Sequence, residues 1–224
     1  MSSRAKITAY VGPMAVFIAL LAVTSLLRFG GQSFWLQHSE YWVFPLQAVV
    51  CAFMLWRYWK AYELGPPRML WFGVTIGALV FVIWIAPQAF LRLAPRTDGF
   101  DPEVFVLQPA LFWSTVALRF LRLVVVVPLV EEIFWRGFLL RYLIDEKFDQ
   151  VPIGTFGWVS FGTVTLAFAL AHSMPDWPAA VITGALYNLV AYRTKSLSTC
   201  VATHALTNLL LGIWIMQTKQ WGFW

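Results

Sequence analysis

An all-α, polytopic bundle of transmembrane helices is the fold class this sequence predicts. Three observations predict it. Of 224 residues, 60 % are hydrophobic and only 12 % charged, against about 45–50 % and about 25 % in an average soluble domain. So few charged side chains cannot coat a water-soluble globule of this size. Mean hydropathy is +0.69. Thirteen tryptophans are present, and Trp collects at membrane–water interfaces. Together these argue against a soluble enzyme, a disordered chain and a nucleic-acid binder. They leave one integral-membrane domain over residues 1–224, with the lipid bilayer as its surroundings.

The elements follow in order. Arg4 and Lys6 precede an apolar stretch over residues 7–27, long enough to span a bilayer, which takes about 20 residues. Leu27-Arg28-Phe29 offers no small-residue cleavage site, so an uncleaved first helix is expected. Residues 29–41, with Gly30, Gly31, His38 and Glu40, read as a loop. A second segment covers 42–56. Arg57, Lys60 and Arg68 follow around Pro66-Pro67, and a third segment covers 69–85. Residues 88–103 form a polar loop. The stretch 104–144 reads either as two helices or as one long helix after an interfacial piece, with Arg119 and Arg122 in its middle and Pro128 interrupting it. Segments over 155–172, 179–192 and 197–215 complete the bundle, giving seven or eight spans. The basic residues near the N-terminus and in 57–68 place both on the cytoplasmic side, and the net charge of +5 is read as this loop bias. Cys51 and Cys200, far apart and in apolar segments, read as buried or lipid-facing thiols rather than a disulfide.

Charges inside apolar segments are the informative residues. One at the bilayer centre costs about 2.5–3.5 kcal/mol, so it persists where it is paired or lines a cavity. Residues 130–138 hold three: Glu131, Glu132 and Arg136. Glu132 and Arg136 stand four apart, in the favoured order for a helical acid–base pair. Glu131 is turned about 100° from Glu132 and can face a cavity while its neighbour is held by the arginine.

The chain has three histidines. His38 lies in a loop and reads as solvated. His172 ends an apolar segment; His204 lies inside the last one, four residues before Asn208 and on the same helix face. Each could be an interhelical hydrogen-bonding group. As a set, two carboxylates, two histidines and an asparagine on three segments form an inventory for activating water: a base, a group to hold the water, and oxyanion donors.

These residues resemble the CPBP family, the CAAX proteases and bacteriocin-processing or self-immunity proteins also called ABI. The motifs are Glu131-Glu132-Ile133-Phe134-Trp135-Arg136, then Phe168 to His172, then His204 to Asn208, in order, each in an apolar segment. The match covers about residues 120–215, and Pro128 before the acids and Gly137 after Arg136 also fit. The resemblance implies an intramembrane glutamate-type endopeptidase related to the type II CAAX prenyl protease. It would cleave a peptide bond near the C-terminus of a membrane-associated, prenylated or unprenylated, protein. Carried over, Glu131 would be the general base, His172 would position water, and His204 and Asn208 would form the oxyanion hole. Glu132, Arg136 and Phe168 would support the site. The short chain and its many tryptophans are similar to a prenyl-protease-related subgroup that accompanies exosortase-type sorting, which implies a bacterial inner membrane.

Two rivals stand beside this reading. A zinc peptidase could use the histidines and glutamates, but the His-Glu-x-x-His spacing is absent, and no metal or other cofactor is expected. A non-catalytic membrane protein of the same fold, serving self-immunity, scaffolding or transport, could keep buried acids and histidines. The complete residue set argues against it, as does the lack of an internal repeat against a transporter.

Overall fold

The computed structural model describes residues 3–30 and 33–224, all of their regular structure helical. Gly31, read above as loop, lies outside the described residues. Eight helices are labelled in chain order: α1 Ser3–Gly30, α2 Phe34–Gln37, α3 Glu40–Arg57, α4 Leu70–Ala89, α5 Pro109–Tyr142, α6 Trp158–Leu170, α7 Trp177–Thr194 and α8 Leu197–Thr218. The long stretch is therefore one continuous helix. It is preceded by a single 3-10 turn, Pro102–Phe105, so of the two readings of this stretch the one with a single long helix holds. Four helices are long and apolar enough to cross a membrane by themselves: α1, α4, α5 and α8. The chain is an integral membrane protein. α6, with 13 residues, rises only about 20 Å, short of a hydrocarbon core of about 30 Å.

The expected loop over 29–41 differs in detail. α1 runs on through Gly30, and α2 fills part of the loop. Glu40 is the first residue of α3 and is buried, because Arg28 Nη2 pairs with it at 2.9 Å. His38 is only partly exposed, with Nδ1 3.6 Å from Glu40. Cys51 and Cys200 are free and buried.

Small residues set the closest helix contacts. A Cβ on Gly77 of α4 would lie 2.8 Å from the Thr203 carbonyl oxygen of α8, so the two backbones touch, as small residues allow in membrane bundles. Gly184 of α7 does the same against Thr165 of α6 at 3.2 Å. Through these contacts α8 and α7 bring His204 and the Gly184 carbonyl against α5.

α5 departs from α geometry twice, in π turns over Arg122–Val126 and Ile133–Leu139. They flank the short α segment Val127–Glu132. Such turns concentrate at functional sites, because the extra residue re-aims the side chains around it. The first has an identifiable partner in Pro128. The Val127 amide bonds back to the Arg122 carbonyl, five residues away. In that register the next donor, for the Leu123 carbonyl, would be the amide of residue 128. Proline has none. The Leu123 oxygen is left open, and Asn208 Nδ2 donates to it at 2.8 Å.

Candidate active site

The site is built on α5, α6 and α8, with α7 behind it. A cavity of about 470 Å³ is lined by Glu131, His172, His204 and Asn208 together. α5, α8 and the segment just past α6, far apart in sequence, thus deliver the four residues singled out above to one space.

The two acids of α5 have opposite surroundings. Glu132 is fully buried; its Oε1 takes Arg136 Nη1 at 3.1 Å and lies 2.9 Å from His204 Nδ1. Its Oε2 has no hydrogen-bond partner among the described residues. Glu131 is half-buried, faces the cavity, and has no ion pair or hydrogen bond among the described residues. A carboxylate without a partner, in a cavity, can accept a proton from water.

Arg136 is also fully buried. Besides Glu132, its Nε donates to Asn188 Oδ1 at 3.1 Å and its Nη2 to the Gly184 carbonyl at 3.3 Å. Phe168 and Tyr187 lie under the guanidinium, 5.2 and 5.4 Å from ring centre to Cζ. Phe168 also packs beside His172, ring centres 4.7 Å apart. Its contacts are those of a support, with both the arginine and the histidine resting on it.

His172 and His204 are both anchored through Nδ1, and neither Nε2 has a hydrogen-bond partner among the described residues. His172 Nδ1 is 2.8 Å from the Phe168 carbonyl. A carbonyl only accepts, so that nitrogen carries the proton and Nε2 can accept one. His204 Nδ1 sits on the Glu132 carboxylate, and its ring lies against Tyr187 at 5.2 Å. Tyr187 is held in turn: its hydroxyl donates to Thr207 Oγ1 at 2.8 Å, and Thr207 donates to the Gly77 carbonyl at 2.9 Å. Asn208 spends one amide hydrogen on Leu123 and keeps the other. Among the described residues no three His, Cys, Asp or Glu side chains gather as a metal-ligand set.

Sequence reasoning passed over three members of this site. Asn188 is a polar residue in an apolar helix, the same signal that picked out His204. Arg122 stands in an apolar stretch, but its sequence position suggests no role. It lines the cavity with Glu131, donates Nε to Gln47 Oε1 at 2.7 Å, and has no carboxylate within ion-pair reach among the described residues. Trp84, which packs on His172 at 5.6 Å and donates to Thr183 Oγ1 at 2.9 Å, carried no signal, because tryptophan is common throughout the chain.

Fold and site together define a class: a helical membrane protein with a buried acid–arginine–histidine cluster beside an unpaired glutamate in a cavity. Residues 112–210 match a family model described as Rce1-like, the type II CAAX prenyl endopeptidase Rce1-like family. That span contains all of the motif residues from Glu131 to Asn208, and the match is consistent with the CAAX protease resemblance read from the sequence. Comparison with curated proteins and with solved structures finds no match.

Proposed function

We propose that the protein is an intramembrane endopeptidase of the CAAX prenyl protease type, using water activated by Glu131. The observation that carries this is the contrast within one dipeptide. Glu132 is consumed by Arg136 and His204, while Glu131 faces the cavity without a partner. Water held between Glu131 and His172 Nε2 loses a proton to the carboxylate as its oxygen attacks the scissile carbonyl. The developing oxyanion is met by the second amide hydrogen of Asn208 and by the His204 ring, which presents an Nε2–H to it when it stands as an imidazolium paired through Nδ1–H with the Glu132 carboxylate. The proton taken up by Glu131 then passes to the departing amine, which closes the cycle. A positioned general base contributes about 10²–10⁴-fold in rate, and each oxyanion donor about 10²–10³-fold. Glu132 and Arg136 work by holding His204, and Phe168 by packing under Arg136 and His172. The substrate is a membrane-associated polypeptide, prenylated or not, cut near its C-terminus. The match to a type II CAAX prenyl endopeptidase family supports the reaction class.

The test is cleavage by purified protein in detergent, read by mass spectrometry. Wild type and Glu131→Gln are compared on a farnesylated Cys-a-a-X peptide, its unprenylated form and unrelated apolar peptides, with and without EDTA. The expected result is release of a C-terminal fragment by wild type, unaffected by EDTA, with at least a ~10³-fold loss in the variant. Undiminished turnover by Glu131→Gln would sink the mechanism.

A further inference from the structure

The two ends of the bundle differ in charge, and the cavity reaches only one of them. At one end lie the start of α1, the α3–α4 and α5–α6 connections, and the α7–α8 turn. Direct contacts tie these together: Lys6 to Asp149 at 2.6 Å, Arg141 to Glu63 at 3.0 Å, and Ser196 Oγ to the Pro66 carbonyl at 2.8 Å. At the other end lie the α1–α3, α4–α5 and α6–α7 connections and the C-terminal tail. They are bound through Arg28–Glu40, Arg96–Asp176, Lys219–Glu103 and the Gly222 amide on the Arg96 carbonyl.

The first end carries nine basic residues: Arg4, Lys6, Arg57, Lys60, Arg68, Arg141, Lys147, Arg193 and Lys195. The second carries four: Arg28, Arg92, Arg96 and Lys219. Arg119, Arg122 and Arg136 lie between them inside α5. Every connection is short, the condition under which an excess of Lys and Arg marks the cytoplasmic side. Each of the four segments of the first end, counted with the adjoining helix turn, carries at least two.

From Glu131 and His204 the cavity wall continues to Arg96, Ser173, Asp176 and Phe223, all at the sparsely basic end. No residue of 58–69, 143–157 or 195–196 lines it. Toward the basic end the site is closed by packed side chains. Ile133, Leu140, Phe148 and Leu197 are all buried, and Arg141 bridges Gly137, Val151 and Glu63. The short α6 ends at Leu170, and the α6–α7 connection that follows it supplies Ala171, His172, Ser173 and Asp176 to the cavity rim.

We infer that the catalytic cavity opens on the side of the membrane away from the cytoplasm. It therefore takes polypeptides whose scissile segment is presented on that face. The substrate part of this rests on the peptidase reading; the orientation does not. A soluble cytoplasmic chain is then not a direct substrate, and a membrane-anchored protein with an extracytoplasmic C-terminal segment is.

The test is chemical labelling of the full-length protein in intact cells with a membrane-impermeant maleimide, repeated after permeabilisation. Wild type gives the background, since both native cysteines are buried. Ser173→Cys and Asp98→Cys report the cavity end, and Lys195→Cys the basic end; all three positions are exposed. The expected result is labelling of Asp98→Cys and Ser173→Cys before permeabilisation, and of Lys195→Cys only after it. Labelling of Lys195→Cys in intact cells, or protection of Asp98→Cys until the membrane is opened, overturns the orientation. Labelling needs no turnover, so a failed cleavage assay and a failed orientation are read separately.

Discussion

α5 carries two buried arginine sites, and they are held in opposite ways. Arg136 is neutralised: a carboxylate, an amide and a carbonyl take its three kinds of N–H, and two rings pack against it. Arg119, three turns upstream of the acids, makes no ion pair among the described residues. Its Nε and Nη1 are buried without acceptors, and the guanidinium lies among Phe44, Phe100 and Trp224 at 5.0, 4.6 and 5.8 Å. Arg122 beside it rests on Phe17 and Phe44 and on Gln47. Ring faces attract a desolvated cation by ~2 kcal/mol, while removing either partner of a buried ion pair costs about 3–5 kcal/mol. The difference teaches that buried charge here serves two ends. At Arg136 it fixes the geometry of a site; at Arg119 it fills space among aromatic rings.

The largest expected effect is therefore at Arg136. Arg136→Ala strands Glu132 as a buried, nearly unpaired carboxylate and removes the support under His204. Thermal unfolding in detergent should report a loss of about 3–5 kcal/mol, with activity falling as well. An unchanged melting temperature would break the comparison at its stronger end. Asn188→Leu is the graded version. It leaves Arg136 Nε without its acceptor and should cost about 1–3 kcal/mol, while keeping the Glu132 pair and part of the activity.

This difference also decided what could be read in the sequence. Glu132 and Arg136 are four residues apart, so helix geometry alone pairs them, and Glu131 is displaced by the same arithmetic. His172, His204 and Asn208 were legible because polar groups in apolar segments are costly and few. The helical membrane bundle is legible from hydropathy, while 104–144 reads equally as two helices or as one. Arg119 and Arg122 were not legible. Their partners are aromatic rings and a glutamine 75 residues away from Arg122, and nothing in composition or spacing links them. The π turns were equally hidden. Pro128 signalled an interruption, but that it would free the Leu123 carbonyl for Asn208 depends on α8 lying alongside.

Arg119→Leu tests the weaker end of the comparison. The variant loses ring contacts to a cation and gains relief from an unpaired buried charge, and apolar replacement of buried ionic groups is often neutral or stabilising. The expected melting temperature is equal to or above that of wild type, with cleavage retained, since Arg119 does not line the cavity. A loss as large as that of Arg136→Ala would show that the rings compensate the charge as fully as a carboxylate does, and the distinction between the two sites would fall.

The smallest effect belongs to the same chemistry moved into water. Lys6 and Asp149 meet at 2.6 Å on the basic end, each about one-third exposed. The hydrogen bond from Lys6 holds the Asp149 carboxyl below its ordinary value. A lowered value means the folded state favours the ionised form. The pair's contribution is therefore complete above the ordinary carboxylate range and is lost as pH falls through the lowered value. Salt screens it, and exposed pairs contribute little. Melting curves of wild type and Asp149→Asn, taken from neutral to acidic pH at low salt, should differ slightly at neutral pH and converge in acid. A gap that persists in acid would assign Asp149 a packing role instead. A gap as wide as that of Arg136→Ala would mean that burial is not what separates the two kinds of pair.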